Sequence, residues 1–325
     1  MRAMVVGELG ANYAGCAVRD ISVPQPGPGE ALVRVRAAAV NFPDLLMTRG
    51  EYQFRPELPF VSGMEFSGEV VAVGEGVDAA LLGQAVVGGG KIGAFAEYAC
   101  VDAAKLRAKP ERLVWGAAAA YSATYLTAWV SLVRRAQLQP GEWVLVHGSA
   151  GGVGLATVDL AKHLGARVIA TGSSPEKLAA VQRLYAPDAT IDVRAGFREK
   201  VKELTGGRGA DVIVDPVGGD IFDESTRCIA FDGRLLVVGF TSGRIPTLDA
   251  NMPLIKGFSV VGVRAGEYGR RFPERGAENI AAVDRLASES KIAPHVHAEL
   301  PLVNWREGFE MLAGRTVIGK VVLVP

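Results

Sequence analysis

Two stretches of this 325-residue chain combine residue types and spacings that could do chemistry. The first is Gly148-x-x-Gly151-x-x-Gly154, which comes after the apolar run Trp143-Val-Leu-Val146. Glycines at this spacing let the backbone come close to a pyrophosphate. A helix starting inside the loop would offer that group unpaired N–H donors and a partial positive charge. A merely structural tight turn is the plainer alternative. The second stretch closes the next apolar run, Arg167-Val-Ile-Ala-Thr171, and reads Thr171-Gly172-Ser173-Ser174-Pro175-Glu176-Lys177. A dinucleotide site for NADH places a carboxylate at this strand end to hold the ribose 2′-hydroxyl. Here there is none. Small hydroxyl residues and a lysine one turn later suit a 2′-phosphate, so the expected cofactor is NADPH. Two observations stand against this: Glu176 lies beside the lysine, and Lys177 on a capped helix can be an ordinary solvated side chain.

The elements that must position these stretches can be read from periodicity. Val153, Ala156, Leu160, Ala161 and Leu164 share one helical face, and Gly165 stops the helix. Strand, glycine turn, helix and strand then form one βαβ unit. Ser174 caps a further helix that has Pro175 at its first position. Asp211–Asp215 and Arg234–Gly239 read as buried strands, and Leu254 to Val263 as another apolar strand pair. Residues 1 to about 120 are instead β-rich, with short runs such as Ala31–Arg36 and Gly68–Val73 between turn clusters. Asn41-Phe-Pro-Asp44 opens a helical turn. The tail carries a charged helix at 278–290, a strand near 295–300, a helix near 305–312 and a last strand at 319–323. The fold class is therefore α/β. A doubly wound parallel-sheet domain at 122–263 is inserted into a β-rich domain made of 1–121 and 264–325, and the cleft between them is the default substrate site.

Composition removes several function classes. Lys plus Arg equals Asp plus Glu at 35 each, and no basic run occurs, which argues against nucleic acid and anionic membranes. Cys16, Cys100 and Cys228 are scattered and odd in number, as in a reducing compartment, so the expected location is cytoplasmic. The N-terminus lacks a signal-peptide pattern. Val114 to Val133 has the length of a membrane span, but its alanines, Gly116 and hydroxyl residues fit buried helix ends better. The four histidines show no catalytic context, and no nucleophile elbow is present.

The chain resembles the zinc-free medium-chain dehydrogenases/reductases of the quinone oxidoreductase (zeta-crystallin-like) group over its whole length. The resemblance rests on Asn41-Phe-Pro-Asp44, Leu58–Val70, Gly93–Tyr98, Thr124–Trp129, Gly148–Gly154, Asp211–Gly219, Gly233–Gly239 and Gly319–Leu323. It implies a GroES-like catalytic domain around an inserted Rossmann domain. Zinc relatives would carry a ligand cysteine near Asn41 and a histidine in a Gly-His-Glu triplet, where this chain has Gly63-Met64-Glu65. They also carry a cysteine-rich lobe without a counterpart at 83–98. No metal is therefore expected, and hydride would go to an already electrophilic acceptor, a quinone or an enone.

The resemblance also implies site residues. Asn41 and Thr127 approach the nicotinamide, and Ala150, Gly151, Gly152 and Val153 hold the pyrophosphate. Gly172, Ser173 and Lys177 hold the 2′-phosphate, Phe240 and Val263 line the nicotinamide pocket, and Lys320 lies near the cofactor. Asn41, Asp44 and Tyr52 are the candidate catalytic residues on the substrate side. Each of these three has a plainer reading, as a cap, a first-turn carboxylate and an amphipathic residue at the cleft mouth. The expected activity is that of an NADPH:quinone oxidoreductase. The alternatives are an enoyl-thioester or 2-alkenal reductase, with Tyr52 relaying a proton, and a non-catalytic NADPH-binding protein. An apolar sheet edge at Gly257–Val263 suggests a homodimer or tetramer.

Overall fold

A computed structural model describes all residues from Met1 to Pro325, and the chain forms two compact units. One comprises Met1–Ser122 and Pro294–Pro325, the other Ala123–Ala293.

The first unit is built on a seven-stranded sheet and a three-stranded sheet. The closing strand Lys320–Val324 pairs antiparallel with Glu30–Ala39, setting Val322 opposite Ala39 and Leu323 opposite Ala38. The end of the chain thus completes a sheet begun near its start, and this pairing brings Lys320 to the neighbourhood of Asn41. Phe66, Phe95, Phe309 and Met4 are fully buried between the elements. Phe309 meets Tyr13 and Trp305 edge-to-face, with ring centroids 5.4 and 5.3 Å apart.

The second unit holds a six-stranded sheet. Its strands lie in the order Ala189–Asp192, Arg167–Gly172, Trp143–Val146, Ala210–Asp215, Ile229–Val237, Ser259–Gly262, and every pairing is parallel. Numbered along the chain this is 3-2-1-4-5-6, the doubly wound order whose strand carboxyl ends face a ligand crevice. Val144, Leu145 and Val146 are wholly buried, as strands covered on both faces must be.

Two sequence expectations change here. Leu254 to Val263 is not a strand pair: Asn251–Lys256 is a helix, and only Ser259–Gly262 is a strand. Pro253 is tolerated in the helix's first turn, and Gly257, at φ +61°, ends it in the left-handed conformation. The chain returns to the first unit at Pro294 rather than near residue 264. Helices Ala265–Arg271 and Pro273–Ser288 stay with the second unit, where Arg134 donates to Asn279 Oδ1 at 2.7 Å and pairs with Glu278. The run Val114–Val133 falls within helices Trp115–Ala120 and Ser122–Trp129 and the π-helical Val130–Arg135. No helix is long and apolar enough to cross a membrane.

Candidate active site

The glycine loop has two positions at which a side chain is excluded. Gly148 sits at φ +56°, in the left-handed region. A Cβ on Gly154 would stand 2.2 Å from the Gly148 carbonyl oxygen, so helix and loop touch backbone to backbone. Gly151 caps helix Gly152–His163 without any side-chain hydrogen bond, which leaves the first-turn N–H groups to an incoming acceptor. Beneath the loop, Ser149 donates through both N and Oγ to the Thr171 carbonyl.

His147 is fully buried, with Nδ1 2.8 Å from Thr171 Oγ1 and Nε2 2.8 Å from Ser225 Oγ. Ser225 spends its hydroxyl proton on the Ile221 carbonyl, so it must accept from Nε2–H, and Nδ1 accepts from Thr171. Burial pushes the His147 pKa down to about 3, so this histidine is an uncharged strut under the loop.

At the end of strand Arg167–Gly172, Ser174 Oγ accepts the Lys177 N–H at 3.3 Å and donates to Glu176 Oε2 at 2.7 Å. Glu176 is thereby drawn back to its own helix start. Partial burial lowers the pKa of Lys177 from the usual lysine value. The turns after strands Ala210–Asp215 and Ile229–Val237 are stitched together: Asp215 Oδ1 accepts from Val217 and Gly218, while Thr241 and Ser242 donate to Pro216 and Val217 carbonyls. This holds Phe240, which is 39% exposed, beside Gly218. Val263 is buried and Thr127 Oγ1 donates to the Ala123 carbonyl. Tyr185 donates to the Ala293 carbonyl.

In the first unit, Asn41 caps helix Phe42–Thr48 and also joins a buried ionic cluster. Its Nδ2 donates to the Ala39 carbonyl at 3.2 Å and to Glu65 Oε1 at 3.0 Å. Lys320 Nζ donates to Asn41 Oδ1 at 2.6 Å and to Glu65 Oε1 at 3.1 Å. Glu65 and Lys320 are only 5% and 6% exposed, so the ammonium and carboxylate neutralise each other away from bulk water. Both Asn41 amide hydrogens are committed, and the Lys320 bond fixes which way its oxygen points.

Asp44 is fully buried; its Oδ2 accepts the Asn41 N–H at 2.8 Å, while Oδ1 has no partner. Burial pushes its pKa up to about 7, against the opposing pull of the Asn41 N–H and Lys320. Tyr52 lies half-buried against the core of the first unit. Asn41, Asp44 and Lys320 therefore come together around Glu65. In the sequence Glu65 is only the third member of the Gly63-Met64-Glu65 triplet, with nothing beside it to suggest a role. No group of three or more His, Cys, Asp or Glu side chains is gathered as a metal ion would require.

Comparison with known proteins fits this arrangement. Residues 152–286 match the zinc-binding dehydrogenase family and residues 27–111 the alcohol dehydrogenase GroES-like domain. A quinone oxidoreductase-like protein 2 homolog of Nematostella vectensis is 41% identical, over 99% of this chain and 88% of that protein. A mycobacterial protein solved in complex with NADPH is 34% identical with a TM-score of 0.90, covering 100% of both chains. The Escherichia coli quinone oxidoreductase complexed with NADPH is 27% identical, also with a TM-score of 0.90 and 100% of both chains covered.

Proposed function

This chain belongs to the medium-chain dehydrogenase/reductase family, among its quinone oxidoreductase-like members, and from that premise we propose that it is an NADPH-dependent reductase passing hydride to a quinone without a Lewis-acid metal. The observation that carries the cofactor half is the strand end Thr171-Gly172-Ser173-Ser174, which offers no carboxylate and leads to Lys177. The chain's own geometry suits the cofactor: no side chain caps the N–H groups at the start of helix Gly152–His163, and a Cβ on Gly151 would meet only the Gly148 oxygen, at 3.4 Å.

In this reading Ala150, Gly151, Gly152 and Val153 hold the pyrophosphate, and Gly172, Ser173 and Lys177 hold the 2′-phosphate. Thr127, Phe240 and Val263 are assigned to the nicotinamide, with Asn41 and Lys320. Bound NADPH supplies the hydride, and the chain supplies position and electrostatics. Lys320, balanced by Glu65, fixes the Asn41 amide in one orientation. Asp44 keeps a proton up to about pH 7, and Tyr52 is assigned to the acceptor side. A reduced quinone can take its proton from water, so the reaction does not depend on a dedicated acid.

The same reading makes the protein a homodimer working in the cytoplasm, where its three unpaired cysteines stay reduced. Support for the dimer is the edge strand Ser259–Gly262, with Val260, Leu254, Ile255 and Phe231 exposed around it. Light scattering showing a monomer in dilute solution refutes that part.

NADPH oxidation with phenanthrenequinone, benzoquinone, acrolein and crotonyl-CoA, with NADH as control, tests the activity. Quinones should give the highest kcat/KM, and NADPH should be strongly preferred. Equal kcat/KM for the two cofactors, or fastest turnover of crotonyl-CoA with strong loss in Tyr52→Phe, overturns the reading.

A further inference from the structure

The parallel pairing of strands Arg167–Gly172 and Ala189–Asp192 sets Gly172 directly opposite Asp192. Neighbouring strands lie about 4.8 Å apart, so the turns that leave these two strand ends stand side by side. Gly172 leads into Ser173, Ser174 and the helix turn with Lys177. Asp192 leads into the short 3-10 turn Val193–Ala195, whose middle residue is Arg194.

Arg194 is held rather than loose. Asp192 Oδ1 accepts its backbone N–H at 3.0 Å, and the Asp192 carboxylate accepts Nε at 2.9 and 3.0 Å and Nη2 at 2.5 Å. This is a two-pronged carboxylate–guanidinium pair that occupies the Nε–Nη2 edge of the fork. The Nη1 hydrogens lie on the opposite edge, and the side chain is 62% exposed. The guanidinium also acts electrostatically on Glu176, whose pKa is lowered first by the Ser174 hydroxyl bond and in smaller part by Arg194. Arg194 therefore lies in range of the helix start that carries Lys177.

Charge balance points the same way. Lys177 and Arg194 are offset by Glu176 and Asp192, so the cluster by itself is neutral. A phosphate needs both cations: Lys177 alone would be outweighed by the two carboxylates. We propose that Arg194 is a specificity-determining residue for the adenosine 2′-phosphate, with Asp192 orienting its fork so that the outer edge faces Ser173, Ser174 and Lys177. A planar fork reads a phosphate with two parallel donors, which a lysine ammonium does not do. This inference rests on the NADPH reading above.

The test is titration of the full-length protein, monitoring reduced-cofactor fluorescence, with NADPH and NADH on wild type, Arg194→Ala, Arg194→Lys and Lys177→Ala. Displacement by 2′,5′-ADP and by 5′-AMP isolates the phosphate. Loss of a charged hydrogen-bonding partner should weaken NADPH and 2′,5′-ADP in Arg194→Ala by about tenfold or more, leave NADH and 5′-AMP unchanged, and flatten the salt dependence of NADPH binding. Arg194→Lys should recover part of the loss. If wild type prefers NADPH, Lys177→Ala removes that preference and Arg194→Ala leaves it intact, the assignment of Arg194 is wrong and the cofactor reading stands. Equal weakening of NADPH and NADH in Arg194→Ala also overturns it, since that reports a structural role. If wild type binds NADH as tightly as NADPH, the cofactor reading itself has failed.

Discussion

Asp44→Asn changes one proton-binding site and almost no volume, and its effect can be worked from the geometry. In the unfolded chain the Asp44 carboxyl titrates at its ordinary value of 3.8, and in the fold at about 7. Between these values the folded state holds a proton that the unfolded state has released. Stability is therefore highest below the unfolded pKa, falls as pH rises towards the folded pKa, and levels off above it. From about pH 5 to about pH 9 the loss through this single group is about two pKa units, or about 3 kcal/mol. Asparagine cannot titrate, so the variant lacks this component of the slope. Its carboxamide oxygen still accepts the Asn41 N–H, while its NH2 sits where Oδ1 has no partner, at a constant cost of about 1–3 kcal/mol. Because that cost does not vary with pH, it displaces the whole curve and leaves the slope difference intact. All other titrations are common to both proteins and cancel. The assay is urea unfolding at several pH values, monitoring the transition of the first unit. Wild type should lose about 3 kcal/mol more than the variant between the two limits. Parallel pH profiles would mean that Asp44 is ionised in the fold and refute the reasoning.

The glycine loop and the two buried ionisable sites give three further expected outcomes. Gly154→Ala forces a Cβ to 2.2 Å from the Gly148 oxygen, whereas on Gly151 the nearest atom is 3.4 Å away. Gly154→Ala should therefore abolish NADPH quenching of tryptophan fluorescence and lower Tm, while Gly151→Ala leaves Tm within a few degrees. Lys320→Met strands a buried Glu65 carboxylate and should destabilise the first unit by about 3–5 kcal/mol in denaturant titrations, a loss that adding Glu65→Gln partly restores. His147 titrates at about 3 in the fold against 6.5 unfolded, so its stability contribution is complete above about pH 6.5 and is lost as pH falls towards 3. His147→Gln should flatten the acid limb of the second unit's unfolding curve, and an unchanged limb contradicts the neutral buried ring.

The parts of the fold that are legible in the sequence are those governed by local rules. The glycine loop, its flanking strand and the helix behind it can be read because a buried parallel strand must be apolar throughout and a surface helix must repeat every 3.6 residues. Leu254 to Val263 misleads because apolar content alone does not separate helix from strand over so short a run. Pro253 and Gly257, which fix the helix and its end, carry more information there than the leucine and valines around them. Residue 264 looks like a boundary because the pattern changes character there. Helix Pro273–Ser288 nevertheless belongs with the second unit, through Arg134, at a sequence separation no periodicity can reveal.

The candidate site divides along the same line. Asn41 and Lys177 announce themselves by cap position and by place after a strand, which are short-range signals. Glu65 does not, because its partner Lys320 lies 255 residues away, brought to it by the antiparallel return of the closing strand. Arg194 is hidden in a different way. Its sequence neighbours give only an aspartate two residues earlier, which reads as an ordinary surface pair worth little. Its meaning comes from register: only when Gly172 stands opposite Asp192 does the arginine two residues on fall beside the turn proposed to hold the 2′-phosphate. The residues easiest to find from sequence are thus those of the glycine loop and of the turn after the second strand. Glu65 and Arg194 depend on pairings that exist only once the sheets have closed.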